Sequence, residues 1–307
     1  MRNFLLDRRQ ALKLAAAALA APWAAAGAPD DELMSRAIPA TGERLPVIGL
    51  GTSGEFDRQP VDEKEAVELR GVLDILVATG ARLVDTAPGY GDAEIVLGRL
   101  AHEAGLTDRI FWATKLRTTG EASGKAQFET SAQRLGRRPL DLVQVHNLVD
   151  AATQWQTLRR FKEQERVRYI GLTVSRLADH EPLGQLMRDW RPDFVQLNYS
   201  PMEPEAAARL LPLAAERGIA VLVNRPFGNG RYFSLVKDRP LPDWAAAFDC
   251  ESWAQLSLKF ILAHPAVTCV IPATSSPRHV IDNVRAGQGR LPDSAQQARI
   301  RELVAGL

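Results

Sequence analysis

The strongest constraint on the fold is a repeated alternation of short apolar runs with longer amphipathic segments after residue 36. Continuous apolar runs of this length are typical of parallel strands that are buried on both faces. The candidate strands are 46–51, 82–86, 110–115, 141–146, 169–173, 193–198, 219–224 and 268–272. Amphipathic segments with helical spacing lie between them, and the segment 61–79 is a clear example, because Pro60 precedes it and Gly80 follows it.

Eight strands, each followed by a helix, within about 270 residues predict an α/β fold of the (β/α)8 TIM-barrel type. The alternative is a doubly wound open sheet, which requires a glycine-rich phosphate loop that opens a helix after the first strand. The stretch Gly49–Gly54 matches the pattern G-x-G-x-x-G, but the residues from Glu55 to Pro60 are loop-like. The match is therefore weak, and we favour the barrel.

The first 26 residues differ from the rest of the chain. Arg8 and Arg9 precede an alanine- and leucine-rich stretch that Pro22 interrupts, and small residues follow at 24–26. This order predicts an export signal, and the paired arginines resemble those of a twin-arginine signal. The apolar run is short for a membrane span, although an N-terminal helix or anchor is the alternative.

We therefore expect a removed Tat-like signal peptide at 1–26 and a single barrel domain at 27–307, with cleavage after Ala28 as the alternative. The expected partner is the twin-arginine export machinery, the expected location is the periplasm, and no stable membrane insertion is expected after cleavage.

Composition excludes several classes of function. The chain has 38 lysines and arginines against 37 acidic residues, a formal net charge of +1, so it lacks the broad basic surface of a nucleic-acid-binding protein. Its two cysteines, Cys250 and Cys269, cannot form a disulfide scaffold or a four-thiolate metal site. We expect no metal and no nucleic-acid partner.

Polar residues stand at the ends of three successive predicted strands. Asp85 ends the second strand, with Tyr90 in the loop that follows; Lys115 ends the third strand and His146 the fourth. In a (β/α)8 barrel these strand ends meet at one face, where active sites are built. Lys115, held by Asp85, would stabilise a Tyr90 phenolate, and His146 would donate a hydrogen bond or pass a proton. Each residue alone has a structural explanation, but the combination predicts an acid–base site.

These residues belong to segments that resemble the aldo/keto reductase family. The similar motifs are D-T-A-P-G-Y-G-D-A-E at 85–94, L-G at 135–136 with D-L-V-Q-V-H at 141–146, V-Q-L-N-Y at 195–199, and I-P-A-T at 271–274 followed by Asn283. The resemblance covers residues 36–307 in order. It implies an NADPH-dependent reductase of small-molecule carbonyl substrates, with Asp85, Tyr90, Lys115 and His146 as its catalytic tetrad.

The resemblance also implies a cofactor site on the same face. Gly51 and Thr52 would lie beneath the nicotinamide ribose, and Gln196, with Thr173 beside it, would hold the carboxamide. Arg278 would bind the additional phosphate that distinguishes NADPH from NADH, the alternative cofactor. The adenosine phosphates would meet the segment that leads into a short helix, which contains Pro272, Thr274, Ser275 and Ser276, with Asn283 further along.

Two positions depart from the family's pattern. Val174 stands where many members have an asparagine, and Asn224 stands where many have an aromatic residue that stacks on the nicotinamide; Arg225 or Phe227 would substitute for that aromatic. These departures favour one alternative, an exported, non-catalytic barrel with weakened cofactor binding. A second alternative is a lyase that uses Lys115 as a Schiff-base nucleophile, which a neighbouring Asp85 disfavours by keeping the lysine protonated. Trp112, Trp155 and the segment 227–244 are candidates for apolar walls of the mouth.

Overall fold

A computed structural model of the chain describes residues 32–307, so the predicted leader at 1–26 lies outside the described residues. Eight parallel strands form one sheet in which each strand pairs with the next along the chain. They are β3 (Leu50–Gly51), β4 (Leu83–Asp85), β5 (Phe111–Leu116), β6 (Leu140–His146), β7 (Val167–Thr173), β8 (Phe194–Asn198), β9 (Ala220–Asn224) and β10 (Cys269–Val270).

Backbone contacts between the first and last of these strands close the sheet into a barrel. The Gly51 amide donates to the Pro272 carbonyl at 3.0 Å, and the Val270 amide donates to the Val47 carbonyl at 2.9 Å. The predicted (β/α)8 barrel is therefore confirmed, and the doubly wound sheet is excluded.

Helices cover the outside of the barrel. They are α1 (Glu63–Ala78), α2 (Ala93–Glu103), α3 (Glu121–Leu135), α4 (Ala151–Glu163), α5 (His180–Trp190), α6 (Leu210–Arg217), α7 (Arg231–Val236), α8 (Trp253–Leu262), α9 (Pro277–Arg285) and α10 (Ser294–Ala305). Local chemistry fixes several ends: the Asp62 carboxylate accepts from the Glu65 amide at 2.8 Å at the start of α1, and Gly136 ends α3 with a φ of 63°. No helix within residues 32–307 is both long enough and apolar enough to cross a membrane.

A two-stranded hairpin that the sequence did not predict closes the amino end of the barrel. It consists of β1 (Ser35–Ala37) and β2 (Arg44–Pro46). Ile38 and Leu45 join the cluster of apolar side chains inside the barrel. The Glu43 carboxylate accepts from Arg82 Nη2 at 2.8 Å and from the Tyr169 hydroxyl at 2.7 Å, so the hairpin is also held by charge.

The expected aromatic walls at Trp112 and Trp155 are wrong. Trp112 is fully buried in the outer core between sheet and helices, and its indole donates to the Thr107 carbonyl at 3.0 Å. Trp155 stacks on Trp190 at 5.4 Å between centroids, in the space between α4 and α5. Both indoles pack where most tryptophans do, in the interior. In the segment 227–244, Phe227 packs on Phe233 at 4.7 Å.

Candidate active site

The barrel interior changes from apolar to polar along its length. Every second side chain of a strand points inward, and near the amino end these are apolar, as with Phe111, Leu142 and Phe194. Toward the carboxyl end the same alternation gives polar side chains. These are Asp85, Lys115, Gln144, His146, Thr173, Gln196, Asn198 and Asn224. The predicted acid–base residues therefore meet at the face where a (β/α)8 barrel carries its chemistry.

A buried ion pair joins two of the predicted catalytic residues. Lys115 Nζ lies 2.6 Å from Asp85 Oδ2 and donates to the Thr86 carbonyl at 2.8 Å. Burial by itself lowers the pKa of Lys115, but the charge of Asp85 and the neighbouring Tyr90 phenol outweigh it and hold that pKa above its ordinary value. The lysine is therefore a cation at neutral pH, which argues against its use as an amine nucleophile.

Tyr90 lies between the ion pair and the histidine. The Lys115 ammonium is 5.0 Å from the centroid of the Tyr90 ring, and the ring meets the His146 imidazole edge to face at 6.0 Å. Tyr90 is half-buried, whereas Asp85, Lys115 and His146 are buried. The structure thus brings together all four side chains, with the phenol as the most accessible of them.

His146 is a neutral imidazole. Burial, followed by the charges of Lys115 and Arg117, lowers the pKa of His146 to about 3. The Nδ1 atom is buried and has no hydrogen-bond partner among residues 32–307. A neutral ring with a free nitrogen can donate or accept a hydrogen bond without adding charge to the site.

The depressed pKa of His146 predicts a pH-dependent stability. Between about pH 6.5 and pH 3 the unfolded chain binds a proton at this position and the native chain does not, so the free energy of unfolding falls as pH falls through that window. One such group contributes a slope of at most about 1.4 kcal/mol per pH unit. Urea unfolding of His146→Gln between pH 4 and pH 7 should show a shallower slope than the unsubstituted chain, and the same substitution at the exposed His102 is the control. Equal slopes for His146→Gln and the unsubstituted chain would contradict a neutral His146.

Two glutamines hold Asp85 from the side opposite Lys115. Gln196 Nε2 donates to Asp85 Oδ1 at 2.7 Å, and Gln144 Nε2 lies 3.5 Å from the same oxygen. Gln144 is fully buried, and sequence reasoning missed it. The signal was present, because Gln144 lies two residues before His146 on the same inward-facing alternation.

The two departures from the family's pattern are in contact with each other. The Asn224 amide donates to the Val174 carbonyl at 2.9 Å and lies 3.3 Å from Gln196 Oε1, which also accepts from the Thr173 hydroxyl at 2.9 Å. Asn224 Oδ1 is buried and accepts no hydrogen bond from the part of the chain that the structure describes. These amide and hydroxyl groups form one polar cluster at the ends of β7, β8 and β9, and Asn224 supplies its unpaired acceptor.

Residues at the junction of β3 and β10 are tightly packed. A Cβ atom on Gly51 would lie 2.7 Å from the Ile271 carbonyl, so only glycine fits between β3 and Pro272. The Thr52 hydroxyl donates to the Asp85 carbonyl at 2.9 Å and thereby ties this junction to the ion pair.

The other predicted cofactor residues lie around the start of α9 and the end of β9. The Ser276 amide donates to the buried Thr274 hydroxyl at 3.0 Å just before Pro277 opens the helix, where free amides can bind phosphate. Ser275 is half-buried, Arg278 is exposed and Asn283 is buried on the same helix. Arg225 has a left-handed φ of 50°, lies 3.6 Å from Glu203 and donates to the Ser175 carbonyl.

Comparisons with known proteins agree with this fold. The model of the family described as "Aldo/keto reductase family" matches residues 47–305. An aldo-keto reductase of Mycolicibacterium vanbaalenii is 30% identical over 250 residues, which cover 78% of this chain and 82% of that protein. Aldo-keto reductase str7 of Strobilurus tenacellus is 26% identical over 300 residues, which cover 84% of this chain and 86% of that protein.

Solved structures show the same architecture. The chain is similar, with a TM-score of 0.72 and 23% identity, to an aldo/keto reductase from Klebsiella pneumoniae solved in complex with NADP and acetate; the match covers 86% of this chain and 93% of that one. A holo-form aldo-keto reductase from Bacillus halodurans matches with a TM-score of 0.71 and 21% identity. This match covers 88% of this chain and 96% of that one.

Proposed function

Because the chain belongs to the aldo/keto reductase family, we propose that it reduces aldehyde and ketone carbonyls to alcohols with NADPH. The observation that carries this proposal is the buried Asp85–Lys115 pair beneath Tyr90, with a neutral His146 at the other side of the phenol. Such an arrangement is suited to general acid catalysis, because the group that gives up a proton lies beside a permanent cation.

Each of the four side chains has a different role in proton transfer. Tyr90 gives its proton to the carbonyl oxygen of the substrate as that oxygen gains negative charge. Lys115 stabilises the resulting phenolate, and Asp85 keeps Lys115 charged and fixed in position. His146 donates a hydrogen bond to the same carbonyl oxygen and orients it, and its neutrality means that it does not compete with Tyr90 for the role of acid.

The polar cluster fits a nicotinamide. Asn224 Oδ1 is a buried acceptor without a partner among the described residues, and a carboxamide brings N–H donors that would satisfy it. Gln196, Thr173 and Asn224 would hold that group, while Gly51 and Thr52 would line the ribose side. The residues for the phosphates are Pro272, Thr274, Ser275, Ser276, Arg278 and Asn283, with Arg225 near the end of β9. When bound, NADPH supplies the hydride that the carbonyl carbon receives.

A cofactor titration combined with a turnover assay tests the proposal. Tryptophan fluorescence should be quenched by NADPH with saturation, and NADH should bind more weakly because the exposed Arg278 provides a cation for the additional phosphate. The protein should then oxidise NADPH in the presence of a generic aromatic aldehyde. Saturable binding without turnover would favour the non-catalytic barrel, and borohydride trapping of a carbonyl ligand on Lys115 would favour the lyase.

Export is a second part of the proposal and rests on Arg8, Arg9 and the apolar stretch that follows them. A twin-arginine route carries folded proteins, so the cofactor would cross the membrane already bound. Protein purified from the periplasm should lack the leader and contain nucleotide that absorbance and mass spectrometry detect. Replacing Arg8 and Arg9 by lysine should retain the protein in the cytoplasm, and periplasmic recovery of that variant would contradict the route.

A further inference from the structure

Arg117 occupies the next inward position on the barrel wall beyond Lys115. The inward side chains of β5 are Phe111, Ala113 and Lys115, and the same alternation places Arg117 on that side directly after the strand ends. In the register between β5 and β6, Leu116 pairs with Val145, so Arg117 stands beside His146 at the rim of the site.

The charge of Arg117 is not neutralised by an ion pair within the described residues. The Arg117 backbone amide donates to Gln127 at 2.7 Å, but the guanidinium makes no ion pair or hydrogen bond with any of residues 32–307. Two acidic groups of this face have other partners: Asp85 is paired with Lys115, and Asp150 accepts from the Gly120 amide and the Thr153 hydroxyl.

The site beside Arg117 is therefore positive. The Asp85–Lys115 pair sums to zero and His146 is neutral, whereas the Asp150 carboxylate keeps its charge but forms no ion pair with Arg117 among residues 32–307, so the guanidinium is left as an unpaired cation beside His146. That charge reaches the reacting groups, since it is one of the causes that lower the pKa of His146. Arg117 is exposed, so it can contact a ligand without a rearrangement of the core.

We infer that Arg117 binds a carboxylate of the substrate, and that the site takes aldehydes and ketones that carry a carboxylate at the end that faces the rim. The inference rests on the proposed function, because the carbonyl is taken to lie against Tyr90 and His146. A guanidinium presents paired N–H donors that match the two oxygens of a carboxylate, and one such charge-assisted contact is enough to separate an acid from its neutral ester.

A matched pair of substrates tests the assignment. The substrates are para-formylbenzoate and its methyl ester, which share the aldehyde and differ in charge, and the measured quantity is the ratio of their kcat/KM values. Arg117→Met should lower that ratio by about tenfold or more, and Arg117→Lys should restore part of it. Arg109→Met removes another exposed, unpaired arginine at the opposite end of β5 and should leave the ratio unchanged.

A ratio that stays within about twofold in Arg117→Met overturns the inference. If the unsubstituted chain reduces neither aldehyde, the proposed function fails, and equilibrium binding then decides the inference alone. Para-formylbenzoate should bind more tightly than the ester to the unsubstituted chain and should lose that advantage in Arg117→Met. Equal binding of acid and ester to the unsubstituted chain, or an advantage that survives the substitution, overturns it.

Discussion

Replacement of Tyr90 by phenylalanine is expected to lower kcat for carbonyl reduction by roughly 100- to 10,000-fold, the usual contribution of a positioned general acid. The substitution removes one hydroxyl and leaves the ring against His146 and Lys115. The fold and the cofactor site should therefore persist, and the dissociation constant for NADPH should stay within about threefold of its original value. Steady-state kinetics and a fluorescence titration measure the two quantities on the same preparation.

Tyr199 provides the matched control for the loss of a phenol. It follows β8 directly but lies in the outer core, where its ring packs 5.5 Å from that of Phe260. Tyr199→Phe should therefore keep kcat within about threefold. A Tyr90→Phe variant with kcat in that same range would mean that the proton comes from another group, and the assignment of Tyr90 would be wrong.

Replacement of Lys115 by methionine is expected to cost both activity and stability. The side chain is fully buried, and its removal leaves the Asp85 carboxylate inside the barrel without its cation. Breaking a buried pair in this way costs about 3–5 kcal/mol of the free energy of unfolding, which urea denaturation measures. The loss of kcat should match that of Tyr90→Phe, because the phenolate is no longer stabilised.

The double variant Asp85→Asn with Lys115→Met separates the two effects. With both charges gone, no uncompensated ion remains, and most of the lost free energy of unfolding should return. Activity should not return, since neither group can assist Tyr90. Recovery of kcat in the double variant would show that the pair only stabilises the barrel, and a double variant as unstable as Lys115→Met would contradict the charge argument.

Much of the barrel could be predicted because each strand is a buried apolar run with clear ends. Strands β4, β5, β6, β8 and β9 both begin and end within one residue of the predicted bounds. The hairpin at 35–46 could not be predicted in this way, because its three-residue strands contain arginine, serine and proline and show no periodicity. Ile38 and Leu45 stabilise the hairpin by packing inside the barrel, and this tertiary contact leaves no local pattern in the sequence.

The candidate site could likewise be predicted only in part from the sequence. The convergence of Asp85, Lys115 and His146 follows from strand order alone, because neighbouring parallel strands end at one face. The contact between Gln196 and Asp85 does not, since it crosses the barrel between residues 111 positions apart and depends on the closure of the sheet. Gln144 and Arg117 lie two positions from a strand-end residue, Gln144 before His146 and Arg117 after Lys115, so only the inward alternation of the whole strand indicates them.

The amino end of the barrel is filled with apolar side chains and covered by the hairpin, so a ligand enters from the carboxyl end. Under the proposed function two ligands meet at Tyr90, and both would pass through that opening in turn. Whichever ligand sits deeper has to arrive first and depart last, and the other cannot be trapped beneath it. The packing at the amino end, which lies far from the chemistry, therefore bears on the order in which the two ligands bind and leave.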